Sequence, residues 1–185
     1  MRPIALILIL IVIATHLCAE DTVPTSPLDF TLNDIAGKPY PLAQHRGKVV
    51  MLVNVASRCG LTPQYKALEA LYAQHKAKGL VVIGVPANNF GSQEPGTNAE
   101  IQQFCSATYQ VSFPMLAKVS VKGADIAPLY DYLTSKSPKP GEIGWNFAKF
   151  LIGRDGQVIE RFDPKTTPDH PSVAKAIDQA LAAKP

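Results

Sequence analysis

Residues 49–63, reading Val-Val-Met-Leu-Val-Asn-Val-Ala-Ser-Arg-Cys-Gly-Leu-Thr-Pro, constrain the fold more tightly than any other stretch of the chain. The first eight are almost all apolar and rich in β-branched side chains, the pattern of a strand buried on both faces. Thr62-Pro63 reads as a helix start, with a hydroxyl to cap free amides and a proline at the first helical position. Cys59 is therefore expected in the turn between a buried strand and a helix N-terminus. Free backbone N–H groups, the positive end of the helix dipole and the neighbouring Arg58 would all favour thiolate over thiol there. Gly60 keeps the turn tight and the sulfur approachable. Locally the same residue also reads as a small buried cysteine at a strand end. Position adds weight to the reactive reading, because loops at the carboxyl ends of strands in open α/β sheets are where chemistry is usually placed.

With 185 residues, 46% of them hydrophobic, the chain is long enough for one domain with a substantial core. A formal charge of +3, without any run of Lys and Arg interleaved with aromatics, gives no footprint for nucleic acid. The N-terminus reads as a secretory signal peptide: Arg2, the apolar run Ile4–Ala14, then small Ala19 after Leu17-Cys18. The run falls short of the roughly 20 apolar residues that cross a bilayer, so stable membrane insertion is not expected. Thr15-His16-Leu17 ahead of Cys18 does not have the form of a lipobox. The expected division is residues 1–19 signal peptide, 20–27 polar linker with two prolines, and 28–185 a single domain, exported to the periplasm or secreted. Cleavage leaves Cys59 and Cys105. Two cysteines in an exported domain of this size ordinarily read as one structural disulfide, which conflicts with a free thiolate at Cys59.

Along the chain, Phe30–Leu42 reads as a hairpin turning at Ala36-Gly37, and Pro63–Lys78 as a helix with Tyr65, Leu68, Leu71 and Tyr72 on one face. Leu80–Val85 is a second wholly apolar strand. Ala87–Gly96 is a loop rich in amides and helix breakers. Asn98 is expected to cap a helix running to Tyr109 that carries Ile101, Phe104 and Cys105 on one side. Val111–Val121 reads as extended, and Pro128–Leu133 as helical. Phe147–Ile152 and Val158–Phe162 flank an Asp155-Gly156 hairpin turn, and a last helix covers Pro171–Ala182. This order predicts an α/β protein of thioredoxin-like fold, a central mixed β-sheet flanked by α-helices.

No metal site is expected: His45, His75 and His170 show no ligand spacing and read as surface residues. No cofactor motif follows a strand. Thr62 stands where a Cys-x-x-Cys pair would have its second cysteine, which argues against a thioredoxin-type disulfide exchanger. Gln93 lies beyond the second apolar strand, and Trp145 and Asn146 precede a strand expected near the centre of the sheet. All three could meet Cys59 at one sheet edge as neutral N–H donors. Taken singly, Trp145 reads as core packing, and Gln93 and Asn146 as turn residues.

Asn54–Tyr65, Phe90–Gly96 and Trp145–Leu151 together closely resemble the three signature stretches of the glutathione peroxidase family, in the same order. The likeness runs from about Leu28 to the C-terminus. It implies a thioredoxin-like fold and reduction of hydroperoxides, without cofactor or metal. By position Cys59 matches the peroxidatic residue in its cysteine form, and Gln93, Trp145 and Asn146 match its polar companions. Ala87 stands where the family often has a further cysteine, which leaves Cys105 as the candidate resolving thiol. Its position resembles the resolving cysteine of thioredoxin-dependent members. The short Tyr132–Trp145 connection lacks the insertion used at the interfaces of tetrameric members, implying a monomer open to bulky lipid hydroperoxides.

The implied cycle is attack by the Cys59 thiolate on the peroxide, giving a sulfenic acid. A Cys59–Cys105 disulfide would follow, reduced by a thioredoxin-like dithiol or by glutathione. An ordinary thiol with pKa about 8.5 is only about 3% ionised at pH 7, so full ionisation gains roughly 30-fold. Larger acceleration has to come from donors that stabilise the leaving oxygen. Two other readings remain at this level: an exported thiol–disulfide carrier without peroxidase turnover, and a non-enzymatic domain with a structural disulfide.

Overall fold

The structure is a computed structural model, and it describes residues 23–184. The expected signal peptide and the start of the linker lie outside the described residues. Residues expected to end that linker are instead built into the domain. Ser26 caps a single 3-10 turn, Pro27–Asp29, and its hydroxyl donates to the Gly156 carbonyl at 2.6 Å.

The central sheet has the order β4-β3-β5-β6, with β3 at Val49–Val55, β4 at Leu80–Pro86, β5 at Lys149–Ile152 and β6 at Val158–Phe162. A small antiparallel hairpin precedes it, β1 (Thr31–Asn33) with β2 (Pro39–Pro41), turning at left-handed Gly37. β3 pairs in parallel with β4 and antiparallel with β5, so both neighbours saturate its backbone, and every residue of β3 is buried. Alternation divides its side chains. Val49, Met51, Val53 and Val55 share a core with Tyr65 and Leu68 of helix α1 (Gln64–His75). The same core takes Ile101 and Cys105 of α2 (Asn98–Tyr109), and Val173 and Ile177 of α4 (Pro171–Ala182). Val50 and Leu52 face a second core with Ile83, Phe150 and Leu129, the last from α3 (Pro128–Asp131). The mixed sheet with helices on its faces is the thioredoxin-like arrangement.

Several local expectations are corrected. α2 is capped by Thr97, not Asn98: Thr97 Oγ1 accepts from the Glu100 N–H while Glu100 holds the Thr97 N–H, a reciprocal box. Asn98 is one residue too far along, and its Oδ1 accepts from the Lys118 N–H at 3.0 Å. The segment 111–121 runs extended but forms no strand. It meets β4 at a single bridge, Gly84 to Met115, and the hairpin at Asp34 to Leu116. Gly84 is what allows that approach, because a Cβ there would lie 2.5 Å from the Met115 sulfur. The helix at Pro128 continues past α3 as a wider turn to Lys136. Of the three histidines among the described residues, two are buried, His45 against the Tyr40 hydroxyl at 2.8 Å and His75 at the end of α1; His170 is exposed.

Candidate active site

β3 ends at Val55, and the turn 56–63 carries the chain to α1. Cys59 sits in that turn, buried to 8% exposure. What shapes the turn is Thr62. Its hydroxyl accepts the Cys59 N–H at 2.9 Å and donates to the Ala56 carbonyl at 2.9 Å. The residue read as a helix cap thus braces the cysteine loop, and the residue preceding α1, Pro63, makes no side-chain cap. The first helical amides are also spoken for, since Gln64, Tyr65 and Lys66 donate to the carbonyls of Leu61, Thr62 and Pro63. One amide does point at the sulfur, Leu61 N–H at 3.4 Å. Arg58 is exposed and lines a small neighbouring cavity rather than the cleft that holds Cys59.

Gln93 reaches the site through an unusual backbone. Gly91 and Ser92 are both left-handed, with φ of 61° and 51°, and the Gln93 carbonyl then accepts the Arg58 N–H at 3.0 Å. Those successive reversals bring the loop back against the Cys59 turn. Trp145 and Asn146 approach from the start of β5, where fully buried Phe147 adopts φ 69°. Asn54 holds this corner. Its Nδ2 donates to the Trp145 carbonyl at 3.2 Å, and its own carbonyl accepts the Phe147 N–H at 2.6 Å.

Cys59, Gln93 and Trp145 line one open cleft of about 1120 Å³, whose far wall includes Phe162, Pro164 and Lys165. Trp145 is 41% exposed and rests on Phe90, ring centroids 5.6 Å apart. Asn146 does not line the cleft. It is fully buried behind Gln93, and its Nδ2 donates to Gln93 Oε1 at 3.0 Å. That bond turns the donor end of the Gln93 amide away from Asn146. Cys105 is not in the cleft either. It is buried on α2 as a free thiol, and Cys59 is likewise free. Burial pushes the Cys105 thiol up to about 11, with the adjacent Tyr65 hydroxyl working against that rise and the Glu94 charge adding to it.

Two residues inside the quoted signature stretches carry no role in the sequence analysis. Asn54 is a lone polar residue inside an apolar strand, a signal visible in sequence but silent about its partner. Lys149, fully buried in β5, donates to the Phe147 carbonyl at 2.7 Å and the Pro164 carbonyl at 3.3 Å, tying the start of β5 to the Pro164 side of the cleft. Burial lowers its pKa to about 8, against the opposing pull of Asp163. Among the described residues no group of three or more His, Cys, Asp or Glu is placed to hold a metal ion.

A thioredoxin-like sheet that presents one cysteine at the end of its central strand, without a neighbouring second cysteine and facing a neutral amide and an indole, defines a thiol-dependent oxidoreductase. The chain belongs to the glutathione peroxidase family and is a peroxidase by class. Residues 28–134 match the family model described as glutathione peroxidase. The glutathione peroxidase-like peroxiredoxin gpx1 of Schizosaccharomyces pombe is 49% identical over 144 residues, covering 77% of this chain and 91% of that one. The hydroperoxy fatty acid reductase Gpx2 of Synechocystis sp. is 50% identical over 155 residues, covering 84% and 99%. Among solved structures, the crystal structure of Trgpx in apo form superposes with a TM-score of 0.71 at 39% identity, covering 88% of this chain and 99% of that one.

Proposed function

We propose that the protein reduces hydrogen peroxide and organic or lipid hydroperoxides through Cys59, with Cys105 as resolving thiol and a thioredoxin-like dithiol as reductant. The observation that carries this reading is the shared cleft of Cys59, Gln93 and Trp145, with Gln93 oriented by Asn146. The Cys59 sulfur attacks the terminal oxygen of the peroxide. The O–O bond breaks, the sulfur becomes a sulfenic acid, and water or an alcohol departs. The Gln93 amide and the Trp145 indole stand on the wall where negative charge develops on the leaving oxygen. The cleft is roomy and partly apolar, which suits an alkyl hydroperoxide, and the Synechocystis relative named for hydroperoxy fatty acids supports that substrate class.

Cys105 then condenses with the sulfenic acid. Because Cys105 lies inside α2 and two sulfurs can bond only when their Cα atoms come within about 7 Å, α2 opens locally for that step. A dithiol captures the resulting disulfide and resolves its own mixed disulfide, whereas glutathione needs two encounters. We further propose that the protein acts as a monomer outside the cytoplasm, on the strength of the apolar run near the N-terminus and the short 132–145 connection. A dedicated relay of reducing equivalents then has to reach that oxidising compartment.

Peroxide consumption tests the reading, with thioredoxin and glutathione systems run in parallel. Cys59→Ser is expected to abolish turnover with the fold intact, since a serine hydroxyl is no nucleophile of this kind at neutral pH. Substantial turnover in that variant would refute the assignment. Thiol–disulfide exchange without peroxide consumption by the parent would point instead to a carrier.

A further inference from the structure

Behind the Cys59 turn lies a group of buried polar side chains that the attack on peroxide does not use. Glu94 follows Gln93 directly, and its N–H donates to Asn88 Oδ1 at 2.8 Å. Its side chain is wholly enclosed, and neither carboxyl oxygen has an aligned hydrogen-bond partner among the described residues. The Ser57 hydroxyl, two residues before Cys59, lies against that carboxyl and is also without an aligned partner. The same holds for the Tyr65 hydroxyl, which is buried beside the Cys105 thiol. One acid, two hydroxyls and one thiol are thus enclosed together between the active-site turn and α2.

A core gains little from a carboxyl enclosed with only the off-axis Ser57 hydroxyl and N–H beside it. Such incomplete pairing opposes folding, and a group of this kind is retained where chemistry needs it. The chemistry missing from this site is a base for Cys105. As a buried neutral thiol it is inert, and only its thiolate attacks a sulfenic sulfur. Glu94 lines one small cavity with Ser57 and with Ile101 and Phe104 of α2, the helix turn that carries Cys105, and its charge acts on both Cys105 and Tyr65. Burial pushes the Glu94 carboxyl up, while the Ser57 hydroxyl and N–H, then Lys118 and Arg58, hold it down. Lys118 donates to the Glu94 and Gly96 carbonyls at 3.1 and 2.7 Å, so its cation stays near without covering the carboxyl. The other carboxylate on the adjoining small cavity, Glu100, is exposed and occupied by the Thr97 N–H and hydroxyl at 2.7 and 2.9 Å.

We propose that Glu94 is the acid–base residue of the resolving step, an inference that rests on Cys105 being the resolving thiol. As α2 opens, the Cys105 sulfur attacks the Cys59 sulfenic sulfur, and its proton passes to Glu94. The S–O bond breaks as the S–S bond forms. The sulfenic sulfur is reduced, the Cys105 sulfur is oxidised, and the proton returns from Glu94 to the departing hydroxyl, which leaves as water.

The experiment mixes the reduced protein with one equivalent of hydrogen peroxide across a range of pH. A sulfenic-acid trap reports Cys59 oxidation, and mass spectrometry of quenched samples reports the Cys59–Cys105 disulfide. Glu94→Gln is expected to oxidise Cys59 within about twofold of the parent rate, yet to form the disulfide at least 10-fold more slowly, the lower end of general-base effects. The parent's disulfide rate should fall as pH drops through the Glu94 pKa, and that limb should be missing from the variant. Glu94→Asp, which keeps the carboxyl, should recover part of the rate and its pH limb, and serves alone if the amide prevents folding. Disulfide formation at the parent rate in Glu94→Gln, or an unchanged pH limb, would overturn the inference. So would equal slowing of both steps in either variant. Cys105→Ser run alongside separates the two ideas. If it cycles with thioredoxin like the parent, the resolving role of Cys105 fails; if it stalls while Glu94→Gln resolves normally, only the role of Glu94 fails.

Discussion

Gln93 and Asn146 are two neutral amides with different places in one site. Gln93 stands in the cleft, whereas Asn146 lies behind it, joined to it by a single 3.0 Å bond. Removing a donor that stabilises a developing oxyanion costs about 10²–10³ in rate, so Gln93→Ala should lose that much kcat/KM for peroxide. Asn146→Ala should lose less, and the double variant should be no slower than Gln93→Ala alone, because Asn146 acts only by orienting Gln93. Additive losses in steady-state peroxide assays would show that Asn146 contacts the substrate itself. Lys149 carries a pH signature. An unfolded lysine titrates near 10.4, whereas burial lowers the folded value to about 8. Between those values the unfolded chain binds more protons than the folded one, so stability attributable to Lys149 rises with pH across that window. The urea midpoint of the parent relative to Lys149→Met should therefore increase from pH 8 to pH 10. A flat difference would mean that the lysine titrates normally.

At the scale of elements, two threonines set the behaviour of one turn and one helix. Thr62 ends as the brace of the Cys59 turn because its hydroxyl finds the Cys59 N–H and the Ala56 carbonyl within the same loop. Thr62→Val keeps the shape but leaves that buried N–H unpaired, which costs about 1–3 kcal/mol. Both the thermal midpoint and the peroxide rate should drop. Thr97 closes the N-terminus of α2, the helix that opens in the proposed resolving step. Thr97→Ala should cost about 1 kcal/mol of helix stability. Amide exchange should accelerate in α2, and the Cys59–Cys105 disulfide should form faster, not slower. A slower disulfide in that variant would mean that resolution proceeds without opening α2.

For the whole molecule, the sheet edges bear on assembly. The outer edge of β4 is partly covered by the 113–117 segment, and the other edge, β6, carries Glu160 and Arg161. Charged and covered edges discourage strand addition by a second copy. A light-scattering mass of one chain at micromolar concentration is expected, and a stable tetramer would refute the proposed monomer. Export belongs to this scale too: N-terminal sequencing of protein from its native host should recover a start near Glu20, and recovery of Met1 would sink the proposal.

Much of the architecture was legible because it is local. The unbroken apolar runs of β3 and β4, the Asp155-Gly156 turn, and the spacing of Val173 and Ile177 in α4 each encode an element within a few residues. Three short stretches, by their family resemblance, pointed to Cys59, Gln93 and Trp145, which share one cleft, and to Asn146, which lies outside it; the same resemblance pointed to Cys105, also outside it. Other features depend on partners far away in the chain, and no local pattern carries them. Asn54 meets Trp145, Lys149 spans Phe147 and Pro164, and Glu94 is enclosed beside Ser57. Thr97 displaced Asn98 as a cap because Glu100 is at the right distance from one and not the other. The sequence by itself determined the mixed sheet, the cysteine at its central strand end and the set of companions around it. Only the tertiary structure decided which companion faces the cleft, which stands behind it, and which charges are buried, because burial and hydrogen-bond partnership are properties of packed surfaces and not of neighbouring residues.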